Sequence, residues 1–205
     1  MPQPHDNKLR IVIIPGSVRP RNFTNKAVAL VIDEINKNDM FAVDVINLAE
    51  LNMQFPGLGE ESSAVKQFKQ TVFNATGIII ATPEYHGSFS AATKLAIENL
   101  GFPSAISGKP IALLGVAAGA IGAIKSLEQL RGVCSHIGAM VLPGPVSVPK
   151  IQSVFDDAGR CIDPAIEKRI RGVGTTLIEY IESHVCPRIA LEEMVRGSVQ
   201  STVIT

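Results

Sequence analysis

The chain has 205 residues, 46% of them hydrophobic, which fits one α/β domain with a filled core. Its 19 Lys and Arg residues equal its 19 Asp and Glu residues, so no field of one sign attracts nucleic acid or an anionic membrane. No apolar run approaches the roughly 20 residues that span a bilayer. The polar segment 1–7 lacks the order of a secretion signal. We therefore expect a cytoplasmic protein that binds neither nucleic acid nor membrane.

The first apolar run, residues 9–14, is continuous and ends in a Pro-Gly pair, as a strand buried on both faces does. Thr24 is the expected cap of the helix that follows, whose apolar residues recur every three or four positions. Residues 41–46 alternate like a second strand. After a long loop, Ser62 or Ser63 is the expected cap of a second helix.

The same unit repeats along the rest of the chain. Two more helices follow apolar runs, and the second of these helices is expected to start at Ile121. After a loop over residues 143–149, Asp163 caps a last helix with Pro164 at its first position. The three further apolar runs of strand length are residues 77–81, 111–115 and 140–142.

Five strands that alternate with five helices require a parallel sheet covered by helices on both faces. Right-handed crossovers favour a doubly wound sheet of strand order 2-1-3-4-5. In such sheets ligands bind beyond the carboxyl ends of the strands, so loops 15–24, 82–90 and 115–121 are the candidate sites. We assign a single domain to residues 1–187 and a C-terminal arm or tail to residues 188–205.

The three cysteines, Cys134, Cys161 and Cys186, are far apart and contain no Cys-x-x-Cys pair. This odd number and spacing indicate reduced thiols rather than a disulfide framework. We interpret them as small buried or half-buried apolar residues, and we predict no metal site.

The first candidate loop leaves strand one and enters helix one, so free backbone N–H groups and the helix dipole point at whatever binds there. Gly16 permits a tight turn, and Arg19 adds a forked cation. Short neutral donors come from Ser17, Asn22 and Thr24. This set suits a phosphate dianion, whereas the spacings of a Walker loop and of a dinucleotide-binding loop are both missing. Alone, the loop also fits an ordinary strand-to-helix turn with a solvated arginine.

The second candidate loop follows strand three. Pro83 stiffens it, and backbone N–H groups near Glu84 and Tyr85 can meet the carbonyl oxygens of a flat heterocycle. Tyr85 also offers a ring face for stacking. Two other interpretations stay open, namely acid–base chemistry with His86 as proton donor, and a plain packed turn.

The third candidate loop, residues 115–122, bears almost no side-chain chemistry. Its small residues allow backbone to approach a ring closely, although tight packing of a helix on a strand explains them equally well.

The joint placement of the three loops is more informative than any one of them. A phosphate anchor beside two ring-contacting loops describes a mononucleotide with a flat head group, and FMN fits this description better than a nucleoside triphosphate.

These motifs resemble the NAD(P)H-dependent FMN reductase family, a flavodoxin-like group that includes quinone, azo-dye and chromate reductases. The resemblance covers residues 9–183. It rests on Gly16-Ser17-x-Arg19, on residues 83–88 with Lys94 following, and on the stretch from Lys109 through the third loop to Arg131. It implies a flavodoxin-like homodimer or homotetramer with active sites near subunit contacts.

The resemblance also implies the cofactor-binding residues, and it implies no catalytic residue because hydride transfer is centred on the flavin. The first loop contributes Ser17, Arg19, Asn22, Phe23 and Thr24, the second Pro83, Glu84, Tyr85 and His86, and the third Gly115, Ala117 and Gly119.

The implied reaction passes a hydride from NAD(P)H to bound FMN and then to a small electron acceptor. The implied acceptors are quinones, free flavins, azo compounds, chromate and ferric chelates. A non-enzymatic flavodoxin-like electron carrier is the main alternative, and the neutral net charge speaks against it because such carriers usually present an acidic docking face. An FMN-sensing interaction protein and a hydrolase that uses Tyr85 or His86 are further alternatives.

Overall fold

The computed structural model describes residues 8–202, with side chains described through residue 196. The N-terminal segment 1–7 and residues 203–205 of the predicted tail lie outside the described residues. The strands are β1 Leu9–Pro15, β2 Phe41–Val45, β3 Gly77–Tyr85, β4 Ser88–Phe89, β5 Pro110–Val116, β6 Met140–Val141 and β7 Val146–Val148. The α-helices are α1 Phe23–Ile35, α2 Ser63–Asn74, α3 Ala91–Asn99, α4 Ile124–His136, α5 Pro164–Tyr180 and α6 Cys186–Thr202.

The five predicted strands form a parallel sheet in the order β2-β1-β3-β5-β6, which confirms the predicted order. Helices α1 and α5 contribute to the hydrophobic core on one face, and α2, α3 and α4 contribute to the core on the other. Strand β1 lies between the two cores. Ile11 and Ile13 pack into the first, while Val12 and Ile14 pack into the second. A strand buried on both faces is what its continuous apolar run predicts.

Two short strands were not predicted, and both extend the sheet beside the candidate loops. Strand β4 returns antiparallel along β3 after a two-residue turn. Strand β7 pairs parallel with the end of β5, whereas β6 pairs with its beginning. Between them Pro143 and Pro145 interrupt the edge, because proline has no N–H to donate to a neighbouring strand.

The starts of the helices agree with the sequence-based predictions at two places and differ from them at two. Asp163 and Ser62 cap α5 and α2, as predicted. The prediction that Thr24 caps α1 is wrong, since Asn22 caps this helix and Thr24 is buried. Helix α4 begins three residues after the predicted Ile121. The loop cannot continue as helix there because Gly122 has a left-handed φ of 80°.

The C-terminal helices run without a break from Pro164 to Thr202 through a π-helical turn at Ile181–Val185. Pro187 lies just after this turn, where its missing N–H removes one helical hydrogen bond. Side chains from residue 187 to residue 196 are exposed. The division into a domain and a C-terminal arm stays a prediction. None of the helices within residues 8–202 is long and apolar enough to cross a bilayer.

The cysteines are free thiols, in agreement with the interpretation from their spacing. Cys134 lies on α4 and is fully buried in the hydrophobic core between this helix and the sheet, and Cys161 and Cys186 are half-buried. Burial raises the pKa of Cys134 to about 12. This thiol therefore stays protonated and unreactive near neutral pH.

Gly115 is a position where packing admits no side chain. A Cβ there would lie 2.7 Å from the Ala123 Cβ and 2.9 Å from the Leu127 Cγ. We expect Gly115→Ala to lower the free energy of unfolding by about 1–3 kcal/mol because it overpacks the contact between β5 and α4. The matched control is Gly172→Ala on α5, where a Cβ meets nothing within 4 Å and alanine is the better helix former. Urea unfolding of both variants measures the effect, and equal destabilisation would contradict the packing argument.

Candidate functional site

Three loops at one end of the sheet enclose a cleft of about 460 Å³. They follow the carboxyl ends of β1, β3 and β5, which are neighbours in the sheet, and doubly wound sheets bind their ligands at such a position. The lining residues are Ser17, 19–24, 83–85, 116–118 and 151–152. The cleft therefore gathers parts of all three candidate loops and adds a fourth segment that follows β7.

Gly16 sets the approach of the first loop to β3 and α3. Its N–H donates to the Ala81 carbonyl at 2.6 Å, and its own carbonyl accepts from the Ser90 hydroxyl at 2.5 Å. A Cβ at Gly16 would lie 1.9 Å from the Thr93 Oγ1, so only glycine permits this approach. The first loop is thereby fixed against the strand that carries the second.

Asn22 fixes the shape of the first loop. Its Oδ1 accepts from the Asn25 N–H at 2.8 Å and caps α1, while its Nδ2 donates to the Arg19 carbonyl at 2.7 Å. Both ends of the side-chain amide are thus engaged within the loop. Asn22 lines the cleft, and these bonds indicate that its side chain holds the turn in shape.

Ser17 presents an unpaired hydroxyl beside the cleft. Its Oγ is buried and has no hydrogen-bond partner within the part of the chain that the structure describes. The backbone N–H groups of Ser17, Val18 and Arg19 also donate to no acceptor among those residues. Because buried polar groups normally have partners, the unpaired Ser17 hydroxyl fits an anion received by the loop, to which the N–H groups of the exposed Val18 and Arg19 can also donate. The positive end of the α1 dipole favours a phosphate at the same place.

Arg19 and Tyr85 connect the first and second loops. The Arg19 Cζ lies 4.5 Å from the centroid of the Tyr85 ring, which is a cation–π distance. Both residues line the cleft. The contact brings the predicted phosphate-binding cation and the predicted stacking ring together on one side of the cleft.

The second loop is a tight hairpin with His86 at its tip. Pairing of Tyr85 with Ser88 leaves His86 and Gly87 as a two-residue turn. Their φ angles, 52° and 74°, are both positive, as a type I′ turn requires. His86 is exposed and does not line the cleft.

The Glu84 carboxylate is engaged at the beginning of α4. Its Oε2 accepts from the Ser126 N–H at 3.1 Å, so it stabilises the positive end of a helix that has no side-chain cap of its own. Gln129, one turn further along α4, donates to the Gly87 carbonyl at 3.0 Å and accepts from the Ser88 hydroxyl at 2.7 Å. The Glu84 carboxylate therefore contributes to capping α4, which disfavours the alternative in which this loop acts in acid–base chemistry.

The two predicted glycines of the third loop lie away from the cleft. Gly115 faces α4, where its missing side chain makes room for Ala123 and Leu127. Gly119 is exposed, and its carbonyl accepts from the Lys150 N–H at 3.1 Å. Packing and loop closure thus account for both glycines.

Ala117 remains in the cleft because the segment after β7 holds it there. Its N–H donates to the Val148 carbonyl at 2.9 Å, and its carbonyl accepts from the Ile151 N–H at 3.0 Å. The same segment brings Ile151 and Gln152 to the cleft, and neither was predicted. The usable signal was the alternating stretch Val146–Val148, which is short enough to be taken for loop.

The structure brings nine of the twelve predicted cofactor-binding residues to the cleft and leaves out His86, Gly115 and Gly119. Within residues 8–202, no group of three or more His, Cys, Asp or Glu side chains is placed to hold a metal ion. The nine residues that line the cleft are Ser17, Arg19, Asn22, Phe23, Thr24, Pro83, Glu84, Tyr85 and Ala117.

Solved structures of oxidoreductases share this fold. The chain superposes on the flavoenzyme NAD(P)H:(acceptor) oxidoreductase FerB from Paracoccus denitrificans with a TM-score of 0.70, covering 86% of this chain and 98% of that one at 22% identity. It superposes on an NADH:FMN oxidoreductase, EMOB, with a TM-score of 0.65, covering 83% of this chain and 90% of that one at 19% identity. At these identities the likeness establishes the fold.

Sequence comparison establishes the family. A 2-hydroxy-1,4-benzoquinone reductase from Burkholderia sp is 31% identical over 80% of this chain and 91% of its own length. An NADPH azoreductase from Bacillus sp. (strain OY1-2) is 28% identical over 85% of this chain and 96% of its own length. The family model described as NADPH-dependent FMN reductase matches residues 9–153, a span that contains the whole cleft. This protein is therefore an oxidoreductase of the NADPH-dependent FMN reductase family.

Proposed function

We propose that this FMN-dependent NAD(P)H oxidoreductase reduces small acceptors of the quinone class, with azo compounds, free flavins, chromate and ferric chelates as further candidates. Two relatives support the first two classes, since one is named a benzoquinone reductase and another an azoreductase. The observation that carries the proposal is the unpaired Ser17 hydroxyl at the phosphate-binding end of the cleft. The Tyr85 ring and the small residues 116–118 line the same cleft and leave room for a flat ring.

In this proposal the first loop binds the FMN phosphate. Ser17 donates through its hydroxyl and its N–H, and Arg19 adds a charge-assisted bond. Asn22 keeps the loop in its binding shape through its two bonds inside the turn. Thr24 and Phe23 complete this end of the cleft.

The second and third loops orient the ring system. Tyr85 offers a stacking face, Pro83 stiffens the chain, and Ala117 allows close approach of backbone. Bound FMN supplies the ability to accept a hydride from NAD(P)H and to return it to an acceptor. The protein supplies position, and the engaged Glu84 leaves no free carboxylate in this part of the cleft.

The electron-carrier alternative is disfavoured, since the relatives are named as reductases and the cleft contains Arg19 and Arg21 rather than an acidic face.

We also propose that the protein is a cytoplasmic homodimer or homotetramer. Large exposed apolar side chains support association with further copies, and they include Phe102 at 99% exposure and Ile121 at 76%.

The reductase activity is tested by anaerobic stopped-flow spectroscopy of the FMN-loaded protein. We expect NADPH or NADH to bleach the flavin absorbance within seconds, and an added benzoquinone to restore it. Free FMN at the same concentration is the control for uncatalysed reduction. Bleaching no faster than in this control would exclude the reductase proposal and favour an electron carrier.

Ser17→Ala tests the phosphate loop more cleanly than a change at Arg19, because Arg19 also packs on Tyr85. The Ser17 hydroxyl is unpaired without a ligand, so its loss should leave the apoprotein as stable as before or slightly more stable. The same change should raise the Kd for FMN roughly tenfold or more, since a hydrogen bond to a charged group is lost. Thermal unfolding and flavin fluorescence titration measure the two effects, and unchanged affinity would mean that the phosphate binds elsewhere.

His86→Asn tests whether the hairpin tip takes part in the chemistry. Asparagine followed by glycine is the preferred pair of a type I′ turn, so the variant should fold normally and keep its affinity for FMN. Turnover should change by less than about threefold, because His86 lies outside the cleft. Loss of turnover with FMN still bound would instead assign an acid–base role to His86.

A further inference from the structure

The start of α1 carries more positive charge than one phosphate needs. Arg19 and Arg21 precede the helix, Lys26 lies in its first turn, and this turn contains no acidic residue. Helix N-termini usually carry acidic residues, because the dipole already supplies about half a positive charge there. Among the side chains that the structure describes, none of these three cations forms an ion pair with a carboxylate.

The excess is local. The whole chain has equal numbers of basic and acidic residues. An FMN phosphate brings at most about two negative charges, whereas Arg19 and Arg21 line the cleft, Lys26 lies next to it, and the helix dipole adds further positive charge. After Arg19 and the loop N–H groups have bound the flavin phosphate, Arg21 and Lys26 remain without a counter-charge. A second anion at this end of the cleft would supply one.

Arg21 occupies a backbone position that favours other residues. Its φ of 49° is left-handed, where glycine or asparagine is less strained than arginine. The turn around it is held by the Asn22 bonds to Arg19 and Asn25. Arg21 also lines the cleft. An arginine kept at a strained position beside a cleft, with no partner, indicates a role for its side chain.

Lys26 lies outside the cleft lining, over two aromatic rings of which one belongs to the cleft. Its Nζ lies 4.9 Å from the centroid of the Phe23 ring and 5.9 Å from that of Phe155. Phe23 in turn lines the cleft. The rings restrict the ammonium group without neutralising it, which leaves its charge available to a ligand.

We propose that Arg21 and Lys26 recognise the 2′-phosphate of NADPH and so determine a preference for NADPH over NADH. This inference rests on the proposed function, in which a nicotinamide dinucleotide enters the cleft after FMN. The two dinucleotides differ only by that phosphate, a dianion that suits a forked guanidinium and an ammonium acting together. Neither cation is needed for the hydride transfer itself.

The test uses three charge-removing variants of the FMN-loaded protein. Arg21→Asn removes the charge and keeps a residue that tolerates a left-handed φ. Lys26→Met keeps an apolar stem over the Phe23 and Phe155 rings. Lys37→Met is the control, because Lys37 lies beyond the opposite end of α1 and pairs with Glu34.

Two measurements separate recognition of the 2′-phosphate from other roles. Stopped-flow reduction of the flavin gives the apparent second-order rate constant for NADPH and for NADH. Calorimetric titration with adenosine 2′,5′-bisphosphate and with adenosine 5′-monophosphate gives binding without turnover. We expect Arg21→Asn and Lys26→Met each to lower the ratio of the NADPH rate constant to the NADH rate constant about tenfold. Both variants should bind adenosine 2′,5′-bisphosphate more weakly and adenosine 5′-monophosphate as well as the wild type does. The Lys37→Met protein should match the wild type.

The contrary outcomes are distinct. Equal losses with NADPH and NADH would overturn the inference and assign the cations to a part that both dinucleotides share. Loss of FMN affinity would overturn it by assigning them to the flavin phosphate. An unchanged ratio would overturn it while leaving the reductase intact. Failure of both dinucleotides to reduce the flavin of the wild type would refute the proposed function itself.

Discussion

The site depends on a buried cluster of hydroxyl groups where β1, β3 and α3 meet. The Ser90 hydroxyl caps α3 by accepting from the Thr93 N–H and also donates to the Gly16 carbonyl. The Thr82 hydroxyl accepts from the Ser90 N–H at 3.1 Å and from the Thr93 hydroxyl at 3.3 Å. These three polar side chains are at most 4% exposed. Because buried hydroxyls are costly unless paired, the cluster holds the first loop in one position against β3.

The opposite side of the cleft is built on the same physical basis. The Glu84 carboxylate caps α4 from another strand, and Gly115 lets α4 approach β5 closely. Both contacts fix loops that follow neighbouring strands, so they fix the width of the cleft. The unpaired Ser17 hydroxyl differs from the Gly16, Thr82, Ser90 and Thr93 groups of the neighbouring cluster, which are hydrogen-bonded. A rigid frame with a few unsatisfied donors is the arrangement expected of a preformed cofactor site.

Much of the fold could be predicted because it follows from local pattern and from handedness. The apolar runs at β1, β3 and β5 are continuous, and right-handed crossovers leave few ways to order them. The strands β4 and β7 could not be predicted in this way. They have two and three residues and exist only because β3 and β5 offer them unpaired edges. Asn22 rather than Thr24 caps α1, in keeping with the stronger N-cap preference of asparagine, and its amide also donates to the Arg19 carbonyl.

The candidate site, like the fold, could be predicted from the sequence only in part. Ser17, Arg19 and Tyr85 could be assigned because their loops follow adjacent strands and their chemistry is distinctive. The family resemblance implies a flavin contact for His86 as well as for Tyr85, but the type I′ turn directs the chain away directly after Tyr85. Ile151 and Gln152 carry no distinctive chemistry and reach the cleft only through backbone bonds to Ala117. Contacts that depend on pairing between segments far apart in the chain cannot be predicted from one sequence.

The central claim is that the loop at the start of α1 binds a phosphate and that FMN is held mainly through it. The most direct measurement compares the affinity of the apoprotein for FMN with that for riboflavin, which is the same ring and ribityl chain without the phosphate. The account predicts one FMN per chain and a Kd for riboflavin at least about a hundredfold higher, because several charge-assisted hydrogen bonds are lost. Equal affinities for the two flavins would contradict it, since the ring alone would then account for binding.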